Sequence, residues 1–352
     1  MASDNESSRR EFLGTLSAGV AAAGTLTATS EATAQGAAPL KIVDFHNHYM
    51  GPGWTLTNLA SVPPPARPAW EKINANLQSE SALLASVENA GIAARVINTP
   101  TAFIEDSDGR PPQDSHRRIN DQMAAVCAKH SGKLHGLATV DAFSGDTAAR
   151  ELTRAVKELG LRGVFVESAS PKNDLLLGDK ETRPMLKAAA DLGVPVFVHP
   201  QTDPQLHKRF SRTGRIGLRL ARGTINSAAL INMLESGAFD EAPKLQLVVT
   251  TLAFGGLLLA GGFGDGARIR SDAPALTRRH VYVDTMGINP VTVRAAIDLL
   301  GADHVLMGTD WPIVEEKSVP ERLAKALAHS GLNAAEQQLV AGGNALRLLG
   351  VA

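Results

Sequence analysis

The chain has 352 residues with 44% hydrophobic and 20% charged residues, an ordinary globular composition long enough for one large α/β barrel or two smaller domains. Its formal net charge is −1 and no long run of one sign occurs, which excludes the concentrated basic face that a nucleic-acid partner needs. A single cysteine, Cys127, excludes an intrachain disulfide, and its apolar helical surroundings at 123–128 make it a small core residue.

Residues 1–38 read as a leader and linker outside the fold. Ser8-Arg9-Arg10-Glu11-Phe12-Leu13-Gly14 is a twin-arginine pattern, followed by an apolar, small-residue run at 16–26 and an A-x-A cleavage site at Ala32-Thr33-Ala34. The run is too short and too rich in Ala and Gly to make a stable membrane anchor. The expectation is recognition by the twin-arginine export machinery and delivery of a folded protein to the periplasm.

From Pro39 onward the chain reads as one domain, 39–352. Eight β-rich runs are predicted at 41–45, 94–98, 134–140, 161–166, 194–198, 245–250, 280–284 and 304–307. Between them lie stretches with apolar residues at helical spacing, among them 81–90, 115–130, 146–159, 183–192, 224–236 and 290–300. Eight strands alternating with helices imply right-handed βαβ units closing into an α/β (β/α)8 TIM barrel. No G-x-G-x-x-G follows any strand, so an open dinucleotide-binding sheet lacks its phosphate loop. Three segments break the alternation. The Gly- and Pro-rich stretch 51–67 is a candidate substrate lid, 205–222 carries five arginines, and 333–349 reads as helices outside the barrel.

The chemistry concentrates at predicted strand ends. Val43-Asp44-Phe45-His46-Asn47-His48 finishes in two histidines one residue apart, and strand alternation points both the same way. His199, Asp310 and Glu167 close three later strands, at the rim where barrel enzymes hold their reacting groups. His46, His48, His199 and Asp310 together make a donor set for one divalent ion, Zn²⁺ first, with Mn²⁺ and Fe²⁺ also suited. Asp310 has a second role as a proton carrier beside the ion. Trp311 is either a flat wall of a substrate pocket or packing between barrel and helix. Glu167 is open as a ligand, an orienting carboxylate or a helix-cap acceptor. One of Arg209, Arg212, Arg215, Arg219 and Arg222 is expected to grip a substrate carboxylate by bidentate pairing, and Arg215 is the candidate. The others face solvent or a second copy in a homodimer. His116, His130, His207, His304 and His329 read as structural, and His135 and His280 as strand starts at the opposite barrel face.

These residues resemble the amidohydrolase superfamily. The closer likeness is to the branch holding aminocarboxymuconate-semialdehyde decarboxylase and aromatic-acid decarboxylases such as 6-methylsalicylate decarboxylase. Val43-Asp44-Phe45-His46-Asn47-His48-Tyr49 is similar to that branch's opening strand. Leu176-Leu177-Gly178-Asp179 with Val196-Phe197-Val198-His199-Pro200 is similar to its fourth-to-fifth strand segment. Gly308-Thr309-Asp310-Trp311-Pro312 resembles its G-[ST]-D-x-P, and Gly343-Asn344-Ala345-Leu346-Arg347-Leu348-Leu349 its terminal helix. The resemblance implies one divalent ion at His46, His48, His199 and Asp310. It also implies a metal-dependent decarboxylase of a small aromatic or muconate-like carboxylic acid. Hydrolysis of a lactone, ester, amide or C–C bond is the alternative, and a metal-binding barrel without catalysis the third reading. The branch ends its sixth strand in H-x-G-G. Here the run is Val248-Val249-Thr250-Thr251-Leu252-Ala253-Phe254-Gly255-Gly256, with no histidine at 251 or 253. Thr251 can orient a water or substrate oxygen but cannot serve as a base near neutral pH.

Overall fold

The computed structural model describes residues 39–54, 64–101, 114–262, 272–314 and 317–351. The folded unit begins at Pro39, and the leader reading falls on residues outside the described ones. So does most of the lid reading, since 55–63 are not described.

The strands, all parallel, are β1 (Val43–His48), β2 (Ala94–Asn98), β3 (Leu134–Gly136), β4 (Ala138–Thr139), β5 (Val164–Glu167), β6 (Val196–His199), β7 (Leu247–Val249), β8 (Val281–Asp284) and β9 (Val305–Leu306). The first helices are α1 (Arg67–Gln78), α2 (Glu80–Asn89), α3 (Ser115–Lys129), α4 (Asp146–Lys157) and α5 (Arg183–Leu192). After β6 come α6 (Pro204–Phe210), α7 (Gly214–Glu235) and α8 (Ala238–Glu241), and after β7 come α9 (Phe254–Gly262) and α10 (Ala273–His280). The last are α11 (Pro290–Leu300), α12 (Val319–His329), α13 (Ala334–Gln338) and α14 (Asn344–Leu348).

Two sheets, β1-β2-β3 and β4 through β9, join into one barrel. Leu137 carries β3 into β4, because its amide donates to Ile97 O at 2.9 Å and the amide of Ala138 donates to Gly163 O at 2.8 Å. Closure comes from Phe45 N to Met307 O at 2.8 Å and His48 N to Trp311 O at 2.8 Å. With β3 and β4 counted as one, this is the expected eight-stranded (β/α)8 barrel.

Every strand residue except His135 is buried, as parallel strands covered on both faces require. One apolar layer lies between strands and helices, and a second fills the barrel. Phe45, Phe197 and Phe165 stack edge-to-face inside it, with centroids 5.7 and 5.3 Å apart, and Ala345 and Leu349 close its lower end. Removing one of these rings would cost about 3–5 kcal/mol. The aromatic floor forces whatever stands on the upper strand ends toward the rim.

The structure shifts some predicted bounds. Pro195 stands just before β6, where its missing N–H breaks no ladder bond. His280 ends α10 instead of starting a strand; its Nδ1 donates to Leu245 O at 2.8 Å and its ring stacks on Phe239 at 4.5 Å. Helix α7 begins ten residues before the expected start at 224 (224 minus 214). Its first half buries small residues, Gly217, Ala221 and Gly223, instead of large apolar ones. A Cβ on Gly223 would lie 2.9 Å from Leu252 O, so glycine permits that close approach.

Candidate metal centre

Strand β1 does not carry its two histidines inward by alternation alone. Val43 and Phe45 already point into the barrel core, which on strict alternation would turn His46 and His48 away. The register with β2 shifts between Asp44 and Asn47. This bulge re-aims the strand end, a use typical of bulges beside functional sites. The His46 ring then lies 5.1 Å from Phe197 inside the barrel and 5.3 Å from the His48 ring.

A buried polar hub holds the bulge. Asp44 and Arg95, register partners on β1 and β2, form an ion pair beneath α2. Asp44 also accepts from His46 N at 3.2 Å, Thr309 N at 3.0 Å and Thr309 Oγ1 at 2.7 Å. Burial pushes the Asp44 carboxyl up and the Arg95 guanidinium down, each opposed by the other's charge. The hub ties the histidine strand to the segment that presents Asp310.

Each imidazole is fixed at Nδ1 by the last residue of another strand. His46 Nδ1 meets Asp284 Oδ2 at 2.5 Å, His48 Nδ1 meets Asn98 Oδ1 at 2.7 Å, and His199 Nδ1 meets Glu167 Oε2 at 2.9 Å. His48 pairs with Asn98 and His199 with Glu167 in register, so these contacts follow directly from strand pairing. Proton donation through Nδ1 leaves the lone pair on Nε2, the arrangement found behind metal-ligating histidines. Asp284 reaches His46 past the end of β9 because position 308 is glycine; a Cβ there would sit 2.7 Å from His46 Cβ and 3.2 Å from Asp284 Cβ.

Asp310 closes the cluster. Its Oδ1 is 3.2 Å from His48 Nε2 and 3.6 Å from His46 Nε2. Its backbone is left-handed, φ +70°, a conformation that aspartate tolerates better than most residues. The amide of Asp310 donates to His46 O at 2.7 Å, which locks the turn to β1. Burial pushes the Asp310 carboxyl up, but His48, His46 and Arg222 outweigh it and hold it below its ordinary value. Burial pulls His46 down, and Asp284, Asp310 and Asp44 more than reverse this. His199 is pushed down to about 4, by burial first and then by Arg222 and His48 against the pull of Glu167. It is therefore neutral, as a ligand must be.

The donor atoms of His46, His48 and Asp310 lie within 4.8 Å of one another. An ion about 2.1 Å from each of three tetrahedral donors sets them about 3.4 Å apart, which matches the two measured separations to Asp310. His46 Nε2 is buried and has no hydrogen-bond partner, a costly state that a cation removes. These residues fit a divalent ion. His199 stands beside the trio, its ring 5.4 Å from that of His48, but Arg222 Nη2 donates to its Nε2 at 3.0 Å.

The other predicted residues fall as follows. Glu167 accepts from Thr101 Oγ1 at 3.1 Å as well as from His199; burial raises its carboxyl, but His199, Thr101 and Arg222 bring it below its ordinary value. Trp311 is 9% exposed with the Arg95 guanidinium 5.1 Å from its ring centroid. Thr251 donates its amide to Asp284 Oδ1 at 3.1 Å, so position 251 touches the site. Ala253 is fully buried in the barrel–helix core. The glycines after it serve packing: the Gly256 amide donates to Ser227 Oγ at 3.1 Å, and a Cβ there would crowd Ser227. Arg215 lies in the first turn of α7, and its side chain is outside the described ones. Sequence reasoning missed Asn98 and Asp284. The available signal was a polar residue closing a buried strand.

Replacing Glu167 by Gln is expected to weaken metal affinity about 10- to 100-fold while the fold persists, measured by chelator competition. Unchanged affinity would place His199 outside the ion's coordination.

The sequence pattern of the family described as amidohydrolase matches residues 43–351. The chain is 25% identical over 269 residues to gamma-resorcylate decarboxylase of Polaromonas sp. (strain JS666 / ATCC BAA-500), covering 69% of this chain and 78% of that one. It is 23% identical over 296 residues to 2-amino-3-carboxymuconate-6-semialdehyde decarboxylase of Dictyostelium discoideum, covering 80% and 79%. The fold is similar to that of dihydroxybenzoic acid decarboxylase from Polaromonas sp. JS666, solved with manganese and the inhibitor 2-nitroresorcinol. That match has a TM-score of 0.75 at 22% identity and covers 89% of this chain and 97% of that one.

Proposed function

The chain belongs to the amidohydrolase family, and on that premise we propose that it is a metal-dependent carboxy-lyase of a small aromatic or muconate-like carboxylic acid. The observation that carries this reading is the convergence of His46 Nε2, His48 Nε2 and Asp310 Oδ1 at the barrel rim, with a strand-end polar residue behind each imidazole. The decarboxylases among its relatives support the reaction class.

His46, His48 and Asp310 would hold the ion, with His199 as the adjoining donor. When bound, the ion supplies Lewis-acid polarisation of substrate oxygens. We infer Zn²⁺ from the imidazole-rich donor set; manganese, which the Polaromonas decarboxylase holds, is the other outcome. In the reaction the bond from ring carbon to carboxylate breaks, CO₂ leaves, and the electron pair stays with the ring. That carbon must gain a proton. Its contacts with His48 and His46 and the nearby Arg222 hold the Asp310 carboxyl below its ordinary value, so it first takes a proton from a substrate hydroxyl and then delivers it to the carbon. Solvent restores the hydroxyl proton. Neither position 251 nor 253, one of which corresponds to the histidine of the resembled branch, is histidine here, and Asp310 is the proton carrier we assign on this face.

The test is release of ¹³CO₂ from carboxyl-labelled aromatic acids, such as 2,6-dihydroxybenzoate and 5-carboxyvanillate, by metal-replete protein. Turnover that a chelator abolishes supports the reading. Acid release from lactones or esters without CO₂ would assign the hydrolase instead.

We also propose export to the periplasm through the twin-arginine pathway, on the strength of Arg9-Arg10 ahead of the apolar run. Changing both to Lys is expected to leave the protein in the cytoplasm on cell fractionation. An undiminished periplasmic fraction would end that proposal.

A further inference from the structure

Sequence context does not single out Arg222 among the five arginines, yet among the described side chains it is the one that reaches His199. It lies on α7, and its Nη2 donates to His199 Nε2 at 3.0 Å. Its Nε and Nη2 also donate to Pro200 O at 3.3 and 3.2 Å. All these acceptors are neutral. Among the described residues no carboxylate is paired with this half-buried guanidinium, although its charge reaches Asp310, Glu167 and His199. An always-charged group whose hydrogen bonds all go to neutral acceptors keeps donor capacity for an anion.

The contact with His199 adds a condition. Glu167 holds the Nδ1–H of His199, so the ring cannot turn over and Nε2 is its single lone pair. That lone pair serves either a guanidinium N–H or a cation. A metal held at Nε2 would take the place of that N–H and leave the Arg222 fork a free donor beside His199. We propose that Arg222 anchors the carboxylate of the substrate beside the metal centre. This rests on the reading of the substrate as a carboxylic acid. A planar fork of N–H donors suits a carboxylate better than an ammonium does.

The test uses the full-length protein with Arg222→Met and Arg222→Lys. Zn²⁺ affinity is measured by chelator competition. Binding of 2,6-dihydroxybenzoate and of its uncharged carboxamide to the Zn²⁺-loaded protein is measured by calorimetry. Arg222→Met is expected to bind Zn²⁺ at least as tightly as the parent. It should lose about 10- to 100-fold in affinity for the carboxylate, with less than about threefold change for the carboxamide. Arg222→Lys should fall between, because it keeps the charge and loses the fork. A drop in Zn²⁺ affinity in Arg222→Met would mean that the residue shapes the metal centre and would overturn a role confined to the substrate. Equal losses for the two probes, no loss for either, or a parent protein that binds Zn²⁺ but not the carboxylate overturns the anchor. Arg222-dependent carboxylate binding without CO₂ release would sink the decarboxylase reading and leave the anchor standing. CO₂ release that ignores Arg222 would do the reverse.

Discussion

Replacing Asp310 by Asn is expected to lower kcat for CO₂ release by about 10²- to 10⁴-fold, the usual worth of a positioned acid–base group. The substitution separates two roles. Asparagine is nearly isosteric and tolerates the left-handed backbone at φ +70°, so the turn after β9 should persist. Its carbonyl oxygen can still face His48 and His46, 3.2 and 3.6 Å from Oδ1 in the parent, and so retain part of the metal affinity. What it cannot do is collect and return a proton. The variant should therefore fold, bind substrate and hold a measurable share of the ion while turning over very slowly. Turnover within tenfold of the parent at matched metal content would take the proton role away from Asp310.

Replacing Asp44 by Ala should be the most destabilising single change near the site. Arg95 is 2% exposed, and its carboxylate partner is fully buried. Removal of the carboxylate leaves a buried, unpaired guanidinium, at a cost of about 3–5 kcal/mol. For a protein of this size that is a fall in melting temperature of about 10 °C. The loss reaches function too, because Thr309 N, Thr309 Oγ1 and His46 N lose their common acceptor. A double change, Asp44→Leu with Arg95→Met, should recover most of the melting temperature, since an apolar pair of similar volume removes both charges. It should not fully recover metal affinity, because His46 N, Thr309 N and Thr309 Oγ1 still lack the carboxylate they share. Thermal unfolding and metal titration on the three variants check both halves. Equal stability of Asp44→Ala and the parent would mean that the pair is not closed as described.

The barrel was legible because eight short apolar runs, spaced by helical patterns, leave few other architectures. At the site, the structure brings His46 and His48 of β1 together with Asp310 of the turn after β9, and sets His199 with Glu167 beside them. For His46 and His48, strand alternation is only part of the reason. Alternation makes them parallel to each other, but the bulge after Asp44 decides that they face inward, and no sequence feature marks it. Asn98 and Asp284 were hidden because a lone polar residue at a strand end looks like any loop entry. The choice among Arg209, Arg212, Arg215, Arg219 and Arg222 was hidden for another reason. Their spacing of three and four is helical, but the phase of the helix depends on its buried small residues, Gly217 and Ala221. Small residues leave little trace in a hydrophobic pattern. The same blindness cost the first half of α7.

Crystals of Zn²⁺-loaded protein, measured on both sides of the zinc absorption edge, give the most direct check of the central claim. The expected result is a single anomalous peak per chain, about 2.0–2.2 Å from His46 Nε2, His48 Nε2 and an Asp310 oxygen. An absent peak, or one held by other residues while these three stay apart from it, would contradict it.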